Sequence, residues 1–299
     1  MSALNTINRM IAPLEQTIGT ENSLDAFLDG IECLPPTPTV LIRLIDMFRR
    51  PDVDVDDIVQ LLRRDPALSV EVLRRCNNSF FGNGSTIKDV NEAVYRLGFY
   101  EVYQITVTIF GMRVLTAPTI VPGFPAEELR RHSSIAAIAA GALARDVGLS
   151  EGVAFTTALL HDVGKLTFAL AEKARYVALI GHCQRAGASL SQSEKQVFGF
   201  DHAEVGAHLL HRWGLPEEVT MPVLSHAAPA ASGALEPLEV LTQSTSELAN
   251  HIAANGGGVF SGTPEGKHLM EFFKLQANQL DGWEYLVRSK VKQLASLAS

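Results

Sequence analysis

The sequence is poor in cysteine, in basic charge and in long apolar runs. Its three cysteines, Cys33, Cys76 and Cys183, are scattered and form no Cys-x-x-Cys pair, which argues against a disulfide framework and for a reducing compartment. The 25 Lys and Arg against 33 Asp and Glu give a net charge of -8, which argues against an electrostatic grip on nucleic acid or on an anionic membrane. No stretch approaches the roughly 20 apolar residues of a membrane span, and the first residues lack a secretion-signal pattern. We therefore expect a cytoplasmic protein with neither a nucleic-acid nor a membrane partner.

What is present is one helical pattern after another along 299 residues, of which 46% are apolar. Asp65 followed by Pro66 predicts a helix start. Asp89 with Glu92, and Ser191 with Glu194, have the spacing of capping boxes. The segment 101–115 is ambiguous, because its β-branched residues favour a strand while its apolar spacing also fits a helix. The chain as a whole is predicted to be all-α.

Segments rich in proline and glycine divide this helical pattern. The clearest break is residues 116–125, and weaker ones follow near 227–237 and 255–266. They predict two helical lobes, about 26–115 and 126–226, which together form one domain from 26 to 226. Residues 1–25 are then an N-terminal extension, and residues 227–299 are a C-terminal helical extension.

The stretch "ALLHDVGKL" places His161 and Asp162 inside an otherwise apolar helical run, with Lys165 one turn later. Burying such a pair is costly, so it predicts either a metal site or a buried ion pair. Adjacent residues on a helix point about 100° apart. The two side chains are therefore expected to flank a metal site that the carboxylate bridges, and Lys165 is placed to neutralise a phosphate.

The order of several longer motifs resembles the HDOD domain, a branch of the HD superfamily. The resemblance covers about residues 30–226 and is carried by "LPPTPTVLIRLIDMFRRP", "DPALSVEVLRRCNNS", "ALLHDVGKL" and "GFDHAEVGAHLLHRWGLPEEV". It implies an all-α fold, with the second lobe an HD-like helical bundle, and a role in bacterial signal transduction. In that family most members have lost the HD metal residues. The Asn77-Asn78-Ser79 run is expected to cap a helix end and tie it to the next loop.

This chain departs from the usual HDOD pattern because it keeps histidines in an order similar to that of HD-GYP proteins, which are binuclear metal phosphodiesterases acting on cyclic di-GMP. That resemblance implies five metal ligands: His132, His161, Asp162, His202 and His226. Imidazole and carboxylate ligands together suit Fe, Mn, Zn or Ni. We expect such a transition metal at partial occupancy. Five other histidines are expected to be ordinary surface or core residues: His182, His208, His211, His251 and His268.

Two ligands that the HD-GYP resemblance implies are missing. His226 is followed by Ala227 where those relatives have a second histidine, and Thr245 and Ser246 stand where they have a late aspartate. The nearest carboxylate there is Glu247, which a small shift of register would bring to the site. The remaining ligands suffice for one ion and hold a second one poorly. The alternative without metal is a buried ion pair between Asp162 and a protonated histidine or Lys165.

These observations predict a signalling protein that acts through protein contacts in trans, on receiver, kinase or cyclic-dinucleotide proteins, with a homodimer as a further option. The HD residues then form a partly retained metal site without efficient catalysis. The alternative is a metal-dependent phosphohydrolase of a cyclic dinucleotide or nucleotide, in which Asp162 and Lys165 are catalytic. The missing aspartate and histidine favour the first function, and the retained histidines favour the second.

Overall fold

The structure is a computed structural model that describes residues 20–31, 39–48, 55–77, 86–115, 121–228, 235–254 and 259–296. Most of the predicted N-terminal extension, Cys33, Asn78 and Ser79, and parts of the three predicted breaks lie outside these ranges. The described residues form sixteen α-helices and one short 3-10 helix, with no strand among them. The prediction of an all-α fold is confirmed.

Six helices build the N-terminal half: α1 (Thr20–Asp29), α2 (Thr39–Phe48), α3 (Val55–Arg63), α4 (Pro66–Cys76), α5 (Val90–Leu97) and α6 (Phe99–Leu115). Seven follow in the middle: α7 (Ala126–Asp146), α8 (Glu151–Leu160), α9 (Val163–Glu172), α10 (Ala174–Ala186), α11 (Leu190–Phe198), α12 (His202–Arg212) and α13 (Glu217–Ser225). The C-terminal part contains α14 (Pro237–Ala253), a 3-10 turn (Phe260–Gly262), α15 (Pro264–Phe273) and α16 (Ala277–Ser296).

Local signals explain several of these boundaries. Asp65 caps α4 by accepting a hydrogen bond from the Leu68 amide at 2.9 Å, and Pro66 takes the first helical position, as predicted. Asp89 caps α5 in the same way. Asn77 ends α4 and bonds both the amide and the carbonyl of Ile87, so it ties the helix end to the following loop. The predicted structural role of this asparagine is confirmed.

The ambiguous segment 101–115 is helical and belongs to α6. Its β-branched residues are buried on several sides of the helix, among them Val102, Ile105, Val107 and Ile109. Packing on more than one face outweighs the weak intrinsic preference of these residues for strands. The same burial accounts for the lack of a clean amphipathic stripe in the sequence.

One apolar core runs from α1 to α13 and is shared by the two predicted lobes. A second core joins the small residues of α7 and α8 to the C-terminal helices α14, α15 and α16. The indole N–H of Trp283 on α16 donates to the carboxylate of Asp146 at the end of α7, at 2.8 Å. The long helix α7 therefore contacts both the HD region and the C-terminal helices. Where the domain boundaries fall stays a prediction.

Gly164 allows α9 and α12 to approach each other closely. A Cβ atom built on Gly164 would lie 1.9 Å from the carbonyl oxygen of His202, which is a backbone atom and cannot rotate away. Gly206 of α12 lies against the same point, since its own Cβ would be 3.2 Å from the Gly164 amide nitrogen. The glycine in "HDVGK" therefore sets the distance between the helix that begins after Asp162 and the helix that begins with His202.

We expect Gly164→Ala to lower the free energy of unfolding by at least about 1–3 kcal/mol, because the added methyl group overpacks this crossing. The matched control is Gly282→Ala in α16, where a Cβ meets nothing within 4 Å. That control should raise stability by up to about 1 kcal/mol through helix propensity. Urea unfolding measures both variants, and equal stability of the two would contradict the packing argument.

Candidate metal centre

The HD pair lies at a junction between two helices and not inside one helix, so that detail of the sequence prediction is wrong. Helix α8 ends at Leu160 and α9 begins at Val163, with His161 and Asp162 in the turn between them. The ring Nδ1 of His161 lies 2.7 Å from the carbonyl oxygen of Ala158. The ring nitrogen thus hydrogen-bonds to the carbonyl oxygen that would accept from the Asp162 amide if the helix continued.

The five predicted ligand side chains come together around Asp162, and we call this group the HD cleft. His132 comes from α7, His202 is the first residue of α12, and His226 directly follows α13. The HD cleft thus draws its members from four separate segments, all of which pack on the shared core. Their position is a finding, whereas their role as metal ligands stays a prediction.

The carboxylate of Asp162 divides the imidazoles into two pairs. Its Oδ2 lies 3.6 Å from His132 Nε2 and 3.5 Å from His161 Nε2. Its Oδ1 lies 3.6 Å from His202 Nε2 and 3.3 Å from His226 Nε2. The HD cleft therefore consists of a His132 triad (His132, His161, Asp162) and a His226 triad (Asp162, His202, His226). In each triad the potential ligand atoms lie within 4.8 Å of one another.

Hydrogen bonds at Nδ1 fix the tautomers of three of these rings. Nδ1 of His161 faces the Ala158 carbonyl, Nδ1 of His226 faces the Val223 carbonyl at 2.6 Å, and Nδ1 of His202 faces the Glu194 carboxylate at 2.5 Å. These oxygens only accept hydrogen bonds, so the proton of each ring is assigned to Nδ1. The Nε2 lone pair of each ring is then turned towards Asp162.

This arrangement brings hydrogen-bond acceptors to face acceptors, which is unfavourable unless a cation lies between them. Asp162 is 1% exposed, and its Oδ1 has no hydrogen-bond partner among the described residues. A buried oxygen of this kind calls for an explanation such as an ion. Neutral imidazoles backed by oxygens, together with one carboxylate, form a typical ligand set for a transition metal. The residues present therefore fit the metal that the sequence predicts.

The electrostatics favour a charged Asp162 beside neutral rings of His132 and His161. Burial by itself raises the pKa of Asp162, but nearby positive charge, above all that of Lys165, holds the pKa well below its usual range. Burial lowers the pKa of His132 to about 4 and that of His161 well below its usual range, although Asp162 opposes both shifts. An ion pair with a protonated His132 is thus disfavoured near neutral pH.

In the alternative without metal, Asp162 forms an ion pair with a protonated histidine or with Lys165, and the structure contains the contact with Lys165. Its Nζ donates to Asp162 Oδ2 at 2.7 Å, and its side chain is 25% exposed. The ammonium nonetheless contacts one oxygen of the carboxylate and leaves the other facing His202 and His226. Lys165 therefore satisfies one oxygen of the carboxylate, and the other has no hydrogen-bond donor among the described residues.

Glu194 is the functional residue that sequence reasoning missed. The spacing of Ser191 and Glu194 predicted a capping box, but α11 is capped by Ser189, and Ser191 donates to Asp201 at 2.6 Å. Glu194 is fully buried and accepts hydrogen bonds from the Tyr176 hydroxyl at 2.6 Å and from the ring of His202. Only the three-dimensional contact of α10, α11 and α12 reveals that this carboxylate orients His202.

The position of the missing late aspartate is taken by Ser246 of α14. Its Oγ lies 3.2 Å from His132 Nε2. Thr245 points elsewhere and donates to the carbonyl of Leu241 within its own helix. The expectation that Glu247 would shift into the site is wrong, because Glu247 is exposed and accepts from Asn250 one turn along the helix.

The other five histidines lie outside the HD cleft, as expected. His208 pairs with Asp25 of α1 at 2.8 Å, and His251 lies 3.5 Å from Glu284 of α16. None of the five belongs to a cluster of possible metal ligands in the described ranges.

Within the ranges that the structure describes, no helix combines the length and the apolarity that crossing a bilayer requires.

Comparison with known proteins shows one matching family. A family model described as the HDOD domain matches residues 34–229. A curated relative from Treponema pallidum (strain Nichols), named only as an uncharacterized protein, is 27% identical over 281 residues, which make up 92% of this chain and 53% of that protein. The chain therefore spans about half the length of this curated relative.

Three solved structures share the fold at 22% identity each. An HDOD domain protein of unknown function from Geobacter sulfurreducens has a TM-score of 0.74 and covers 92% of this chain and 99% of its own. A "Putative phosphohydrolase" from Shewanella amazonensis SB2B has a TM-score of 0.70, with coverage of 92% and 98%. A "Putative signal transduction protein" from Marinobacter aquaeolei VT8 has a TM-score of 0.69, with coverage of 98% and 64%.

We expect Glu194→Gln to weaken metal binding about 10–100-fold, because a carboxylate that orients a metal-binding imidazole also raises its basicity. The glutamine keeps the shape and an oxygen that can accept from His202, so the change tests charge rather than packing. Tyr176→Phe is the matched control, since it removes the other partner of Glu194 and leaves the carboxylate. Calorimetric titration with Zn²⁺ measures both, and unchanged affinity in Glu194→Gln would show that the carboxylate plays no part in binding.

Proposed function

The chain belongs to the HDOD domain family, and on that premise we propose that it is a cytoplasmic bacterial signal-transduction protein that acts through protein contacts. Its HD cleft holds a transition metal as a structural element and does not catalyse efficient turnover. The observation that carries the metal part is the buried Oδ1 of Asp162, which faces two imidazole lone pairs and has no hydrogen-bond partner among the described residues.

An ion in the HD cleft would tie segments that lie far apart in the sequence. Fe, Mn, Zn and Ni all accept imidazole and carboxylate ligands. Any of these metals, when bound, would supply Lewis acidity and a cross-link between the α8–α9 turn, α12 and the end of α13, which carry Asp162, His202 and His226. His202 and His226 would hold it with the lone pairs that Glu194 and the Val223 carbonyl turn inward.

Efficient hydrolysis is not part of the proposal, because a two-metal mechanism needs both ions held firmly. On the His132 side the structure offers the neutral hydroxyl of Ser246 in place of a carboxylate. The ammonium of Lys165 already contacts Asp162 Oδ2, the oxygen that an ion beside the His132 triad would share. Misplacement by about 1 Å can cost on the order of 100-fold in rate, so a loosely held ion is a poor catalyst.

Helix α13 connects the proposed protein contacts to the cleft. Met221 and Leu224, which are 49% and 40% exposed, lie on this helix five and two residues before His226. A partner that packs on them would contact the element that carries His226. Receiver, kinase or cyclic-dinucleotide proteins in trans are the proposed partners, with a second copy of the chain as a further option. The Marinobacter aquaeolei protein is named as a signal transduction protein, which agrees with this class.

The second candidate is a metal-dependent phosphohydrolase of a cyclic dinucleotide or nucleotide. It is favoured by the shared carboxylate, since Asp162 lies between two triads and is placed to bridge two ions. In this alternative Asp162 and Lys165 are the catalytic residues, with Lys165 binding a phosphate. The name of the Shewanella amazonensis protein agrees with this class.

We expect chelation to lower the melting temperature, because an ion that binds only the folded state stabilises it by mass action. At a free-metal concentration of 100 times the Kd this contribution is about 2.7 kcal/mol, which for a chain of 299 residues corresponds to a shift of roughly 4 °C. Differential scanning calorimetry with and without a chelator measures it. Asp162→Asn is the control and should show little or no shift, whereas equal melting of the two wild-type samples would contradict a structural ion.

We expect no steady turnover of cyclic di-GMP when purified protein is incubated with excess Mn²⁺ or Fe²⁺, because the cleft lacks the ligands that hold a second ion. Chromatography of the linear product follows the reaction over many enzyme equivalents. Multiple turnover that disappears in Asp162→Ala would overturn the non-catalytic function and establish the phosphohydrolase.

A further inference from the structure

We propose that the HD cleft takes a single divalent transition-metal ion, held by the His226 triad, and that Lys165 replaces a second ion beside the His132 triad. The inference rests on the proposed function, since it presupposes that the cleft binds metal. It adds which half of the cleft binds the ion and why the other half does not.

The His226 triad contains only acceptors. His202 and His226 both carry their proton on Nδ1, where Glu194 and the Val223 carbonyl hold it. Their Nε2 atoms lie 3.6 Å and 3.3 Å from Asp162 Oδ1, which has no donor among the described residues. While both rings are neutral, no rearrangement of these protons supplies a donor, so the triad needs either an added proton or a metal ion at this point, and we assign the metal ion.

The His132 triad, in contrast, is provided with donors by the protein itself. Lys165 donates to Asp162 Oδ2 at 2.7 Å. His132 Nε2 lies 3.1 Å from His161 Nε2 and 3.2 Å from Ser246 Oγ. No described contact fixes the His132 proton on Nδ1, so this ring can carry it on Nε2 and donate to the lone pair of His161. The triad is then satisfied without an ion.

Charge acts in the same direction as hydrogen bonding. An ion beside the His132 triad would have to share Asp162 Oδ2 with an ammonium 2.7 Å away, and like charges at such distances repel strongly in a buried site. The group on the far side is the neutral Ser246, which adds no negative charge to offset the repulsion. The positive charge of Lys165 therefore opposes a second ion at this position.

The first test counts the ions. Protein stripped with a chelator is titrated with Mn²⁺ and followed by calorimetry, metal analysis and electron paramagnetic resonance. We expect the wild type to bind one equivalent with the spectrum of an isolated ion. Lys165→Met should bind a second equivalent, and two ions bridged by Asp162 should show a coupled spectrum. Lys165→Arg keeps the charge and should bind one.

The outcomes separate this inference from the proposed function. Two equivalents in the wild type, or one equivalent in Lys165→Met, would overturn the inference while leaving metal binding intact. No binding at all by the wild type would overturn the metal-holding function itself, and the inference with it.

The second test locates the ion with matched histidine variants. His226→Ala should weaken Mn²⁺ binding by at least about 100-fold, the upper range for a change in the shell behind the ligands. His132→Ala should change it by less than about 3-fold. Circular dichroism establishes that each variant is folded, and His226→Gln replaces His226→Ala if that variant is not. The reverse order of the two effects would overturn the assignment.

Discussion

The arrangement on which the rest of the site depends is the buried carboxylate of Asp162 among four imidazole nitrogens. An isolated ionised carboxylate in an apolar interior is very unfavourable, so its surroundings have to offset the loss of water. Lys165 supports one oxygen directly, while the lone pairs of His202 and His226 face the other. A cation at that second oxygen turns an unfavourable contact into a coordination bond. This unmet requirement is the physical basis of the proposed metal site.

Several features outside the cleft serve this arrangement. Gly164 lets the backbone of α12 approach α9, which brings His202 to Asp162. Glu194 orients the His202 ring and is itself held by Tyr176 from α10. On the other side, Gln243 of α14 donates to the carbonyl of Ser225, next to His226. Helix α14, which the sequence assigned to a C-terminal extension, thus contacts the cleft as well.

The sequence predicted the helical fold and the members of the cleft because both leave short-range or family-like patterns. Caps such as Asp65 with Pro66 are local, and the HD motif with its later histidines stands in a recognisable order. Glu194 could not be found in this way, since its partners lie 18 and 8 residues away in sequence on other helices. That Glu247 lies outside the cleft likewise depends on which side of α14 faces His132. Ser246, one residue earlier, lies on that side.

The most direct test of the account is a crystal structure of the protein purified without added metal, recorded at the absorption edge of whichever transition metal elemental analysis finds. The account predicts one anomalous peak in the cleft, within coordination distance of Asp162 Oδ1, His202 Nε2 and His226 Nε2. Protein that contains no transition metal and shows no anomalous peak there, even after soaking with Mn²⁺ or Zn²⁺, would contradict it.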